Sequence, residues 1–176
     1  RHIDTAAIYG NEESVGKAIR ECGIPRGEIF LTTKLWNGEM RADNQRAALQ
    51  ASLKRLGVDY VDLYLIHWPV AGKYKQSWKL MEEFYAEGYC KAIGISNFHK
   101  HHIEDVLDGA KVVPAVNQIE CHPDLSQAEL ASYCEGLGIA FQAWSPLGGG
   151  KSNLFEDATL VSIGKKYGKS AAQVMI

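Results

Sequence analysis

Six apolar, β-rich runs alternate with amphipathic helical runs along the whole 176-residue chain, and that alternation leaves few folds open. The runs are the opening stretch into Asp4, then residues 29–33, 61–66, 91–95, 115–119 and 139–144. Between them, apolar residues recur at helical spacing: Val15, Ala18, Ile19 and Cys22; Leu49, Leu53 and Leu56; Trp78, Met81 and Tyr85. The pattern continues with Ile103, Val106 and Leu107, then Leu130, Tyr133 and Leu137, and a last helical region from near Asp157 with Leu160, Ile163 and Tyr167. Gly23, Gly57 and Gly88 are placed to end three of these helices, Asp43 to cap one, and Ser126 with Glu129 to form a capping box. Strands apolar on both faces, each followed by a helix, predict a parallel sheet covered by helices.

The remaining choice is between an open sheet and a barrel. An open doubly wound sheet holds its ligand at one switch point, with a glycine-rich first turn. No G-x-G-x-x-G occurs in this sequence. Polar residues instead follow successive strands: Asp4, Lys34, His67, Ser96 and Asn97, Gln118, and Ser145. Chemistry spread over many carboxyl-end strand termini predicts an α/β chain of the (β/α)8 TIM-barrel type, with six of eight strands in this sequence. Residues 1–176 form one domain on this reading. Arg1 already stands in a strand-like run, and Ile176 falls inside an apolar helical pattern (Ala171, Ala172, Val174, Met175) without a glycine or asparagine cap. A domain incomplete at both ends is therefore expected. A barrel short of two strands exposes sheet edges and an unfilled interior, so these residues alone are expected to be poorly stable or inactive.

A formal net charge of −2 gives no electrostatic reason to expect nucleic acid, and no apolar run approaches the ~20 residues of a membrane span. Cys22, Cys90, Cys121 and Cys134 are widely spaced, which predicts free thiols and a cytoplasmic setting. Three other features invite chemistry and are read as ordinary structure. The run from Gly148 to Ser152 lacks the first glycine of a phosphate-binding loop, since Ser145 stands there. His99, His101 and His102 lack a carboxylate or cysteine partner suited to a metal, so no metal site is expected and they read as a solvated helix start. Cys121 and His122 are adjacent, which rarely lets a thiol and an imidazole face each other.

Asp4, Tyr9, Lys34 and His67 remain. Barrel topology lets them converge, because they stand at the ends of three different strands on the same face, Asp4 and Tyr9 at the first. A phenol with its ordinary pKa of about 10 is a weak proton donor near neutrality. A lysine ammonium beside it would lower that value, and a carboxylate would hold the lysine in place. A neutral histidine opposite could orient a substrate oxygen. Spacing alone equally allows an Asp–Lys ion pair at the rim with a packed tyrosine and a core-edge histidine.

Six ordered motifs resolve that choice. Arg-His-Ile-Asp-Thr-Ala with Tyr-Gly-Asn-Glu, Thr-Thr-Lys-Leu-Trp, Leu-Ile-His-Trp-Pro, Ile-Gly-Ile-Ser-Asn-Phe, Val-Asn-Gln-Ile-Glu-Cys-His-Pro and Ala-Trp-Ser-Pro-Leu-Gly resemble the aldo-keto reductases. The match runs from end to end and is nearest to the bacterial diketogluconate and aldehyde reductase-like branch, where a tryptophan often stands as Trp144 does. The resemblance implies NADPH-dependent, reversible reduction of aldehydes and ketones, with hydride from the nicotinamide and the proton from Tyr9. It implies that Lys34, paired with Asp4, tunes Tyr9, and that His67 steers the carbonyl. Trp144 would stack on the nicotinamide, with Ser96, Asn97 and Gln118 on its carboxamide and Ser145, Leu147 and Gly148 along the pyrophosphate. Asp4 also lies against the cofactor in this scheme, while Trp36 and Trp68 wall the substrate pocket. NADPH over NADH follows from family habit alone, because the loop gripping the 2′-phosphate lies beyond Ile176. The family also implies a monomer when full length and a small-molecule carbonyl partner. A non-catalytic NADPH-binding regulatory barrel is the alternative, and a metal-dependent barrel hydrolase has the weaker support of scattered histidines.

Overall fold

The computed structural model describes residues 1–150 and 153–176, so Lys151 and Ser152 of the glycine-rich run lie outside the described residues. Strands β1 (His2–Asp4), β2 (Phe30–Leu35), β3 (Leu63–Ile66), β4 (Ile93–Ser96), β5 (Val116–Glu120) and β6 (Ala140–Trp144) pair in parallel and in chain order. The helices are α1 (Glu12–Glu21), α2 (Asn37–Arg41), α3 (Gln45–Leu56), α4 (Tyr74–Ala86), α5 (Lys100–Leu107), α6 (Ala128–Gly136), α7 (Ala158–Tyr167) and α8 (Ala171–Met175). The sheet is curled: Gln118 on β5 hydrogen-bonds Asp4 on β1 although three strands lie between them. This is the expected barrel architecture, with six parallel strands present.

Strand register sorts the side chains. Successive residues point to opposite faces, and paired residues share a face. Leu31, Leu35, Tyr64, Ile66, Ile93 and Ile95 fall on the outer face and are buried under the helices. They meet Ile19 of α1, Leu49, Leu53 and Leu56 of α3, Trp78, Met81 and Phe84 of α4, Ile103 and Val106 of α5, and Cys134 of α6. Each fully buried side chain of this size contributes ~1.5–3 kcal/mol of burial free energy before entropy is counted. This layer is the core that fixes where the strand ends lie.

The inner face is polar in its upper part, which departs from the expectation of strands apolar on both sides. Register places Lys34, Leu65 and Gly94 in one row and Ser96, Gln118 and Gln142 in the next. Gly94 is required by closeness: a Cβ there would stand 2.7 Å from both Leu65 Cδ2 and the Val116 carbonyl oxygen.

Several local expectations change. Asp43 does not cap α3; Asn44 occupies that position, and the Asp43 carboxylate accepts from Lys73 Nζ at 2.6 and 2.8 Å instead. The Ser126 capping box is absent, because α6 starts at Ala128 after Gln127, whose Nε2 donates to the Glu120 carbonyl at 3.0 Å. Asp157 does cap α7, accepting from the amides of Thr159 and Leu160. Tyr85, Leu137, Ile163 and Tyr167 are exposed rather than on buried faces. The short helix α2 carries no sequence periodicity long enough to announce it.

Candidate active site

The loop after β1 is closed by its own side chains. Thr5 Oγ1 donates to Asn11 Oδ1 at 2.6 Å, so residues 5 and 11 meet and the segment between them projects. A single 3-10 turn, Ala7–Tyr9, ends at Gly10, whose φ of 67° places it in the left-handed region. Glu12 then opens α1 and is buried: its Oε1 accepts from Thr33 Oγ1 at 2.6 Å and its Oε2 from Arg55 Nε at 2.8 Å. Thr33 precedes Lys34, so the Tyr9 loop is tied to the strand that carries the lysine.

Lys34 is buried at 1% exposure, and its ammonium donates to Asp4 Oδ1 and to the Thr5 carbonyl at 2.9 Å. Burial pulls the ammonium below its ordinary pKa, and the Asp4 carboxylate pulls it back up. Asp4 Oδ2 accepts from Gln118 Nε2 at 2.8 Å, and the same nitrogen donates to Gln142 Oε1 at 3.2 Å. Tyr9 is 53% exposed and stands over this group, with Lys34 Nζ 5.3 Å from its ring centre. Its phenol is pushed above the ordinary value, by partial burial first and by the Asp4 charge second. That reverses the expectation that Lys34 would acidify it. The lysine charge is matched by the carboxylate it holds, so the pair presents little net positive field to the phenol.

His67 follows β3, and its ring meets Tyr9 edge-on at 5.8 Å and Trp36 at 5.2 Å between ring centres. Burial, then the Lys34 charge, lowers its pKa to about 4, so the imidazole is neutral near pH 7. Its Nδ1 is buried and meets no protein hydrogen-bond partner among the described residues. Ser96 Oγ donates to the Gln118 carbonyl at 2.8 Å, and Asn97 Nδ2 to the His67 carbonyl at 2.9 Å. Asn97 Oδ1 accepts from Trp144 Nε1 at 2.9 Å. Asn97 (φ 65°) and Ser145 (φ 50°) both hold left-handed backbones directly after their strands. Such strain costs of order 1 kcal/mol or more per residue and gathers at functional sites.

Tyr9, His67, Trp68, Ser96, Asn97, Gln118, Trp144 and Ser145 line one cavity of about 320 Å³ at the carboxyl ends of the strands. Asp4 and Lys34 join it through Gln118 and Tyr9. Trp36 touches His67 but borders a separate hollow of about 630 Å³ with Ile8 and α3. Leu147 and Gly148 follow β6 and Ser145 without lining the cavity. The other candidates stay apart. His102 Nδ1 accepts from the His99 amide at the start of α5, and no metal-binding cluster of three occurs among the described residues. His122 Nε2 lies 3.8 Å from Glu120. The four cysteines are free. Sequence reasoning did not single out Glu12, Arg55 or Gln142. A polar residue inside the apolar run 139–144 was the available signal for the last of these.

A neutral phenol and a neutral imidazole thus face one cavity, with a charged lysine behind the phenol. That arrangement can hydrogen-bond a substrate oxygen and deliver a proton to it. The family model described as "Aldo/keto reductase family" matches residues 1–176. The glyoxal reductase of Bacillus subtilis is 50% identical over 176 residues, covering all of this chain and 63% of that protein. The aldehyde reductase YPR1 of Saccharomyces cerevisiae is 44% identical over 206 residues, with all of this chain and 65% of that protein covered. Among solved structures, an aldo/keto reductase from Brucella melitensis superposes with a TM-score of 0.94 at 49% identity, over 99% of this chain and 67% of that one. The chain spans under two thirds of the length of these curated relatives.

Proposed function

This chain belongs to the aldo/keto reductase family, and from that premise we propose that the protein reduces small aldehydes and ketones reversibly with NADPH. The observation that carries the proposal is the buried Lys34, bonded to Asp4 and set behind Tyr9 at the edge of a cavity shared with His67. The names of the glyoxal and aldehyde reductase relatives support small aldehydes as the substrate class.

The cavity residues suit a nicotinamide cofactor. Trp144 offers a flat indole, while Ser96, Asn97 and Gln118 offer a hydroxyl and two amides for a carboxamide. Among the described residues no carboxylate or ammonium lines the cavity, so a neutral ring enters without burying an opposed charge from them. Ser145, Leu147 and Gly148 would lie along the pyrophosphate. The bound cofactor supplies the hydride, which no side chain here can provide. His67, neutral, donates a hydrogen bond to the carbonyl oxygen and sets its direction. Tyr9 keeps its proton until that oxygen becomes basic, then releases it. Lys34, kept charged and fixed by Asp4, stands beside the phenolate left behind and offsets the Asp4 charge that opposes it. Run in reverse, the phenolate accepts the alcohol proton. Trp68 and Trp36 would wall the side of the site where the carbonyl substituents lie. Four free thiols support a cytoplasmic setting.

The test is Tyr9→Phe in the full-length protein, with NADPH and NADH consumption followed across glyoxal, short aldehydes and ketones. Loss of general acid catalysis should cut reduction by about 10²–10⁴-fold while fluorescence quenching still reports cofactor binding. Unchanged turnover in Tyr9→Phe would remove Tyr9 from this role. NADH consumed as well as NADPH would remove the cofactor preference.

A further inference from the structure

Gln142 lies on β6, two residues before Trp144, and has no part in the proposed chemistry. It is in register with Gln118 of β5, and its Oε1 accepts from Gln118 Nε2 at 3.2 Å. The same nitrogen donates to Asp4 Oδ2 at 2.8 Å. A primary amide nitrogen carries two protons, and here both have acceptors. The amide of Gln118 is therefore held with its nitrogen toward Asp4 and Gln142, and its Oε1, which meets no hydrogen-bond partner among the described residues, is the group turned to a ligand.

We propose that Gln142 is a positioning residue that acts through Gln118, fixing it as a hydrogen-bond acceptor for the amino group of a carboxamide. A carboxamide has one face that donates and one that accepts. A Gln118 amide free to turn over would present either, and a nicotinamide ring could then settle in two orientations. Asp4 alone pins one Gln118 proton; Gln142 pins the other and closes a hydrogen-bonded row from Lys34 through Asp4 and Gln118 to β6. The row crosses the concave face of the sheet, so it also sets the distance between the Tyr9 side of the site and the Trp144 side. This inference rests on the proposed nicotinamide site.

The test compares Gln142→Met, which keeps the length of the side chain without an acceptor, with Gln142→Glu, which restores one. NADPH dissociation constants from fluorescence quenching are read beside KM and kcat in the full-length protein. Losing one neutral hydrogen bond should weaken NADPH binding roughly five-fold in Gln142→Met, more in KM for the cofactor than in kcat. Gln142→Glu should recover most of that loss. Equal NADPH binding in wild type and Gln142→Met, or equal losses in both variants, would overturn the inference alone. A wild-type protein that neither binds nor oxidises NADPH would overturn the functional proposal, and this inference with it.

Discussion

Lys34 holds its ammonium 5.3 Å from the centre of the Tyr9 ring while donating to the Asp4 carboxylate. The phenol beside this pair lies above its ordinary pKa, because partial burial and the Asp4 charge both oppose the phenolate. In the proposed reduction Tyr9 acts as the protonated phenol, so on that proposal rate is lost only as pH rises through the raised value. The pH profile of kcat/KM for aldehyde reduction should stay flat from neutrality up to about 10, the ordinary phenol value, before it falls. A fall centred near pH 7 or 8 would contradict this reading of Tyr9. Asp4→Asn, which lowers the negative charge near the phenol, should move the alkaline limb to lower pH.

His67 gives a second pH dependence, in stability. Its folded pKa of about 4 lies below the unfolded value of 6.5. Between those values the unfolded chain binds a proton that the folded chain refuses. Stability is therefore greatest above pH 6.5 and falls as pH drops toward 4, by about 3 kcal/mol in all for a shift of this size. Urea midpoints at pH 7 and pH 4.5 measure it. His67→Gln removes the titration, so its loss between the two pH values should be smaller than that of wild type. Equal losses would show that His67 is not buried neutral.

Glu12 links helix packing to the Tyr9 loop. Its carboxylate is buried between Thr33 and Arg55, and it lies three residues after Tyr9. Glu12→Gln keeps the shape, loses the charge and turns an amide toward the guanidinium. Arg55 keeps 37% of its side chain exposed, which lets it recover some hydration and limits the cost to about 2 kcal/mol. Calorimetry should show a melting temperature lower by ~4–8 °C for a chain of this size. Thr33→Val removes one donor only and should cost less. If Glu12 also holds Tyr9 in place, kcat should fall in Glu12→Gln, and an unaltered kcat would restrict the residue to packing.

The parts of this molecule that were legible in the sequence are those set by repetition and by chain direction. The six strands lie close to their expected places because burial on the helix-facing side imposes apolar runs such as 61–66. Polar groups at the strand ends were visible because Lys34, His67, Ser96 and Asn97 interrupt those runs. What escaped was set by partners distant in sequence. Asp43 looks like a helix cap, but Lys73, 30 residues on, takes its carboxylate. Ser126 fits a capping box until Gln127 is drawn to the Glu120 carbonyl. The shift of Tyr9 depends on its burial first and on the nearness of Asp4 second, matters of distance that spacing does not carry. Gln142 sits in an apolar run, and only the register of β5 and β6 reveals what it faces.

Gly16 shows how tightly the helices that support the Tyr9 loop are packed. It lies in α1, where a Cβ would come 2.1 Å from the backbone oxygen of Leu56 at the end of α3. Alanine is favoured over glycine in a helix by about 1 kcal/mol. Against that stands a clash with a carbonyl that cannot rotate away, so α1 and α3 must separate at an overpacking cost of about 1–3 kcal/mol or more. At such a short distance the clash outweighs propensity, and Gly16→Ala should lower stability by about 2 kcal/mol. Gly27 is the matched control, because its Cβ would meet nothing within 4 Å and its backbone has no positive φ. Gly27→Ala should be neutral or gain about 0.5 kcal/mol from reduced freedom of the unfolded chain. Urea denaturation of the two variants beside wild type decides the matter: if Gly16→Ala proved as stable as Gly27→Ala, the close approach of α1 to α3 would not be a feature of the folded protein, and the tie between Glu12 and Arg55 would lose its rigid frame.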